Sequence, residues 1–144
     1  VKQFFDTSVL VAAYWRGHPN HDASVKLVGQ ANKGTSSCAA HTLAEVYATM
    51  TALPLKEVIP PAQALLFVQQ TREHLTAVTL TDDEYFSTIE DVAGKGLSSG
   101  RVYDALSLRC AVKIRAEAIY TWNLKHFLSI RPDLAGRIRM PDAL

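Results

Sequence analysis

Two cysteines are all the sequence contains, Cys38 and Cys110. They lie far apart in apolar settings, Ser-Ser-Cys-Ala-Ala and Leu-Arg-Cys-Ala-Val, without CxxC spacing. They read as small core residues, which argues against a disulfide framework and against a zinc site. Long apolar runs are missing as well. The longest aliphatic stretch, Val9 to Ala13, falls far short of the roughly 20 residues a membrane helix needs, and the first residues lack the basic-then-apolar pattern of a secretory signal. A soluble protein of a reducing compartment, the cytoplasm, is expected, with no membrane partner. Charge of one sign is also scarce. Fifteen Lys and Arg against fourteen Asp and Glu give a net charge of +1, so overall charge does not announce a nucleic-acid binder. No repeat, low-complexity tract or long linker interrupts the 144 residues. That length buries a core unaided, and one domain over 1–144 is the expectation.

What the chain does have is a regular succession of short strands and helices. Lys2 to Phe5 reads as a strand, followed by helices over Ser8 to Trp15 and about Asn20 to Gln30. Ser36 to Ala40 suits a buried strand, and Thr42 to Leu53 a helix stopped by Pro54. Pro60-Pro61 opens a helix to His74, because proline fits a first turn and not an interior. Leu75 to Leu80 alternates and is rich in Thr and Val, as a strand should be. Thr81-Asp82-Asp83-Glu84 has the form of a capping box, with acids where a helix dipole favours them, and its helix runs to Lys95. After the loop Gly94 to Gly100 come a central helix over Arg101 to Arg115, a strand Ala118 to Thr121, a short helix Leu124 to Ile130 and an edge strand within Arg137 to Met140. Strands alternating with helices predict an α/β fold, a three-layer α/β/α sandwich around a mainly parallel sheet. Ligands of such sheets bind beyond the carboxyl ends of the strands.

Three carboxylates stand out against this frame. Asp6 directly follows the first strand, where it suits either a helix N-cap or a site at the sheet edge. Glu45 lies in Leu43-Ala44-Glu45-Val46, a helix with few polar positions to spend on solvent. Asp104 interrupts Val102-Tyr103-Asp104-Ala105-Leu106 early in the most apolar helix, with Leu108 and Ala111 on its face at i+4 and i+7. A buried carboxylate needs a cation, donors or a function, since without them burial costs several kcal/mol or protonates it. One Mg²⁺ or Mn²⁺ site would account for all three, because these ions take oxygen ligands from separate elements and keep several waters. Metal-assisted hydrolysis of a phosphodiester is the chemistry that follows. Asn123, after the last inner strand, fits both an N-cap and a fourth ligand position.

With Asp6 in Phe-Phe-Asp-Thr-Ser-Val-Leu, Glu45 in Thr-Leu-Ala-Glu-Val, Asp104 in Val-Tyr-Asp-Ala-Leu and the segment Thr-Trp-Asn-Leu-Lys-His-Phe, the chain resembles the PIN-domain proteins, nearest to the VapC-type toxins. The resemblance spans essentially the whole chain. It implies an α/β/α fold and a Mg²⁺- or Mn²⁺-dependent endoribonuclease, commonly a homodimer held inactive by a cognate antitoxin. Asp6, Glu45 and Asp104 match the three core acids, Thr7 the small hydroxyl residue after the first, and Thr121 the one opening the last motif. Asn123 departs from the pattern, standing where many relatives carry a fourth acid, which puts a second metal site in question.

Lys95, Arg101, Lys125 and His126 are candidates to contact RNA phosphates, since cations dominate nucleic-acid affinity; ordinary surface charge is the alternative. Tyr14, Trp15, Tyr47 and Trp122 are candidates to stack on bases or to pack in the core. Two other functions stay open: a non-catalytic RNA-binding or protein-interaction module, and a Mg²⁺-dependent phosphatase with Asp6 as nucleophile. Gly94 to Gly100 lacks the GxxxxGK[ST] order of a P-loop.

Overall fold

Each strand before the last is followed by at least one helix that carries the backbone back to the same edge, which is what parallel pairing requires. The computed structural model describes residues 2–142. The elements are β1 (Gln3–Phe5), α1 (Thr7–Tyr14), α2 (His21–Gly29), β2 (Ser36–Ala39), α3 (Ala40–Thr51), α4 (Pro61–His74), β3 (Thr76–Val78), α5 (Asp82–Gly94), α6 (Arg101–Lys113), β4 (Ala118–Tyr120), α7 (Leu124–Ile130) and β5 (Ile138–Arg139), with a 3₁₀ turn over Pro132–Leu134. All strands pair in parallel, in the order β3-β2-β1-β4-β5. The α/β/α architecture predicted from the alternation of elements is therefore the one the chain adopts.

Alternation along β1 builds the two cores. Phe4 and Phe5 point to opposite faces, and both are fully buried. Phe4 packs with Leu108 and Ala111 of α6, Ile119 of β4, and Phe127 and Ile130 of α7. Phe5 packs with Leu10 of α1, Val46 and Met50 of α3, and Leu75. Helices α1 to α4 thus cover one face and α5 to α7 the other. Cys38 and Cys110 are free and buried, one in each core, as their apolar settings predict.

The order of the strands places the site. From β1 the chain steps outward through β2 to β3, then returns to the other side of β1 for β4 and β5. Connections leave β1 and β4 in opposite directions, so a crevice opens outside their carboxyl ends. Asp6 and Thr121 are the residues that follow those two strands.

Several element boundaries fall a residue or two from the expectation. Helix α3 starts at Ala40 rather than Thr42, which puts His41 in its first turn. β3 is only Thr76–Val78, because Leu75 ends the preceding helix and Thr79 and Leu80 lie beyond the paired residues. The 3₁₀ turn carries no periodic pattern of its own, and sequence reading passes over it.

Candidate active site

Asp6 has both roles the sequence offered it. Its backbone is extended, and its side chain accepts from the Ser8 amide at the start of α1, as an N-cap does. It is also only 4% exposed, and among the described residues it forms no ion pair with a basic side chain. Two hydroxyls converge on its Oδ2: Ser8 Oγ at 2.8 Å and Thr121 Oγ1 at 2.9 Å. Each hydroxyl accepts in turn from a backbone N–H after β4, Trp122 N to Ser8 Oγ at 3.0 Å and Asn123 N to Thr121 Oγ1 at 2.9 Å. The turn out of β4 thereby polarises two relays toward one carboxylate oxygen. None of these bonds falls on Oδ1. Burial raises the Asp6 pKa, and the Ser8 and Thr121 hydrogen bonds oppose that rise.

Glu45 reaches the same region from α3. Thr7 Oγ1 donates to Glu45 Oε1 at 2.9 Å and lies 3.0 Å from the buried Thr42 Oγ1. His41 Nε2 is 3.3 Å from that same Oε1. Burial raises the Glu45 pKa, Thr7 lowers it, and the negative charge of Asp6 raises it further.

Asp104 comes from the first turn of α6, where Ser107, Leu108 and Ala111 on its face are all buried. Its pKa is pushed up to about 7, first by burial and then by the charges of Asp6 and Glu45, with Arg101 pulling the other way. The three acids thus feel one another across three elements. Among the described residues none of them forms an ion pair with Lys or Arg; imidazoles lie beside two of them, His41 at Glu45 and His126, whose Nδ1 lies 3.7 Å from Asp104 Oδ2. A cluster of partly buried like charges calls for protons or a cation.

The donor set is all oxygen, which suits a hard divalent ion. Among the described residues, no three His, Cys, Asp or Glu side chains stand close enough together to hold an ion directly. Mg²⁺ tolerates such spacing, because it keeps several waters and takes only one or two carboxylates directly.

The remaining candidates separate. Asn123 is exposed at the head of α7 and makes no side-chain cap bond, since its φ of −96° and ψ of 50° are not the extended backbone a capping side chain needs. Lys125 and His126 are exposed on α7, His126 facing Asp104. Arg101 hydrogen-bonds Ser129, and its buried Nε finds no partner among the described residues. Lys95 gives its ammonium to the Ile130 carbonyl at 2.7 Å and to Asp91 at 3.2 Å, a clasp between α5 and the end of α7. Tyr14 stacks on Phe67 and bonds Thr71. Trp15 packs into the α1–α4 core, and the Trp122 indole donates to Ser24. Tyr47 stays exposed, and so does Tyr103, which sequence reading did not single out. It also missed Ser8, His41 and Ser107; the spacing of four between His41 and Glu45 on one helix was the signal available.

A protein-family model described as PIN domain matches residues 4–127, a stretch that contains Asp6, Glu45, Asp104 and Asn123. Compared by sequence with curated proteins, the chain finds no significant match. Among solved structures it is similar to VapC20 of Mycobacterium tuberculosis, described as a sarcin–ricin loop cleaving toxin, with 15% identity and a TM-score of 0.71 over 87% of this chain and 92% of that one. It is also similar to VapBC2 of Rickettsia felis bound to a DNA fragment from the promoter, with 18% identity and a TM-score of 0.66 over 99% of this chain and 100% of that one. At such identities the likeness is one of fold.

Proposed function

The chain belongs to the PIN-domain family, and from that premise we propose that it is a Mg²⁺- or Mn²⁺-dependent endoribonuclease, the toxin of a VapBC-type toxin–antitoxin pair acting in the cytoplasm. The observation that supports this reading is that Asp6, Glu45 and Asp104, on three separate elements, lie near enough for the charge of Asp6 to raise the pKa of the other two, without a Lys or Arg ion pair among the described residues. A divalent ion bound there supplies an activated water and neutralises charge on the phosphodiester. The chain's own groups do the rest. Ser8 and Thr121 hold Asp6 in one orientation, Thr7 and His41 hold Glu45, and Lys125 and His126 on exposed α7 bind RNA phosphates. The exposed rings of Tyr47 and Tyr103 offer faces for unpaired bases. A cognate antitoxin and a homodimer belong to the same proposal, resting on the VapC resemblance and on the VapBC2 structure among its neighbours. No helix of the described residues is long and apolar enough to cross a membrane.

Cleavage of a panel of structured RNAs, a sarcin–ricin stem-loop among them, tests the reading with Mg²⁺, Mn²⁺ or EDTA present. Cutting is expected with either ion and not with EDTA, and is lost in Asp6→Ala and Asp104→Ala. Cutting that survives both substitutions sinks the assignment. A second reading, a non-catalytic RNA-binding or interaction module, draws on the neutral Asn123 and on the open spacing of the acids. RNA binding that is indifferent to metal and never followed by cleavage supports it.

A further inference from the structure

We propose that His41 is a positioning residue for the carboxylates, a strut that sets Glu45 on α3 against Asp104 on α6. The inference rests on the reading of these acids as ion ligands. Helices α3 and α6 pack on opposite faces of the sheet, in separate cores. His41 bridges the two. Its Nε2 lies 3.3 Å from Glu45 Oε1 and 3.2 Å from Ser107 Oγ of α6. The ring also sits 6.1 Å from the Tyr103 ring at a tilted 47°. Among the described residues the bond to Ser107 is the one side-chain hydrogen bond from α3 to α6. Both Ser107 and Tyr103 flank Asp104 on its own helix, so the strut is anchored within one turn of the third acid.

The strut also chooses an oxygen. Thr7 and His41 both bear on Oε1 of Glu45. Held from two sides, the carboxylate loses rotamer freedom before an ion arrives, and Oε2 is left for the ion or its waters.

The test is the Mn²⁺ dissociation constant, measured by electron paramagnetic resonance on wild type, His41→Ala, His41→Phe, His41→Gln and Glu45→Gln, with thermal unfolding in EDTA as a check on folding. His41→Phe keeps a ring against Tyr103 and loses the ring nitrogen that faces Glu45 and Ser107, so it separates packing from positioning. Affinity is expected to fall about tenfold or more in the Ala and Phe variants, the usual cost of losing a partner that orients a ligand. His41→Gln, which can again reach Glu45 and Ser107, recovers most of it. Ser107→Ala, which leaves the imidazole intact, shows a smaller loss in the same direction and serves if the His41 variants unfold. Wild-type affinity in His41→Phe, or in Ser107→Ala where the former does not fold, overturns the strut while Glu45→Gln still weakens binding. Wild-type affinity in Glu45→Gln as well overturns the underlying reading of Glu45 as a ligand.

Discussion

Asp104 titrates near pH 7 in the folded protein, against about 3.9 in an unfolded chain. Between those values the native state holds a proton that the unfolded state has released, so stability falls as pH climbs through that window and stays low above it. Asp6 and Glu45, both raised, push in the same direction. Ion-free protein is therefore expected to melt at a lower temperature at pH 8 than at pH 5, and Mg²⁺ to raise melting far more at pH 8; calorimetry in EDTA and in Mg²⁺ reads both. Asp104→Asn should flatten the pH profile, raise the melting temperature of the ion-free protein at pH 8, and abolish cleavage. Of the three acids this one was the most legible in the sequence, because a carboxylate inside Val-Tyr-Asp-Ala-Leu has no bland explanation. Glu45 could be picked out only as a member of a set. His41 and Ser107 were illegible, since their meaning lies in a contact across 66 residues.

Local chemistry wrote the elements more plainly. Thr81 and Glu84 form the reciprocal capping box their spacing predicts, Glu84 N to Thr81 Oγ1 at 3.1 Å and Thr81 N to Glu84 Oε1 at 2.8 Å. Thr81→Ala should cost about 1 kcal/mol in denaturant unfolding and leave Mn²⁺ affinity unchanged, because α5 carries none of the acids. Glu84 also meets Lys113 at 2.7 Å, which holds its carboxyl down to about 2. Where reading failed, tertiary context had decided. The alternation of Leu75 to Leu80 runs past the three residues that find a partner on β2, and α3 begins at Ala40 because the backbone turns straight from β2 into the helix. Truncating the core should be felt more strongly: Leu108→Ala, in the tightly packed cluster under Phe4, is expected to cost about 2–5 kcal/mol.

For the whole molecule, a net charge of +1 means that affinity for RNA depends on where cations sit rather than on how many there are. Lys125→Ala should weaken RNA binding and reduce the salt dependence of log K by about one phosphate contact. Lys95→Ala should leave that slope alone and only lower stability slightly, because its ammonium clasps α5 to the end of α7. Binding isotherms across a salt series separate the two. The central place of β1 has a consequence in time. Asp6 leaves the ribosome more than a hundred residues before the strand that pairs beside it and the Thr121 hydroxyl that steadies its carboxylate. A chain halted before that strand has only half of the crevice. The centre is assembled only after β4 has been made, so a chain still short of that strand has no formed site.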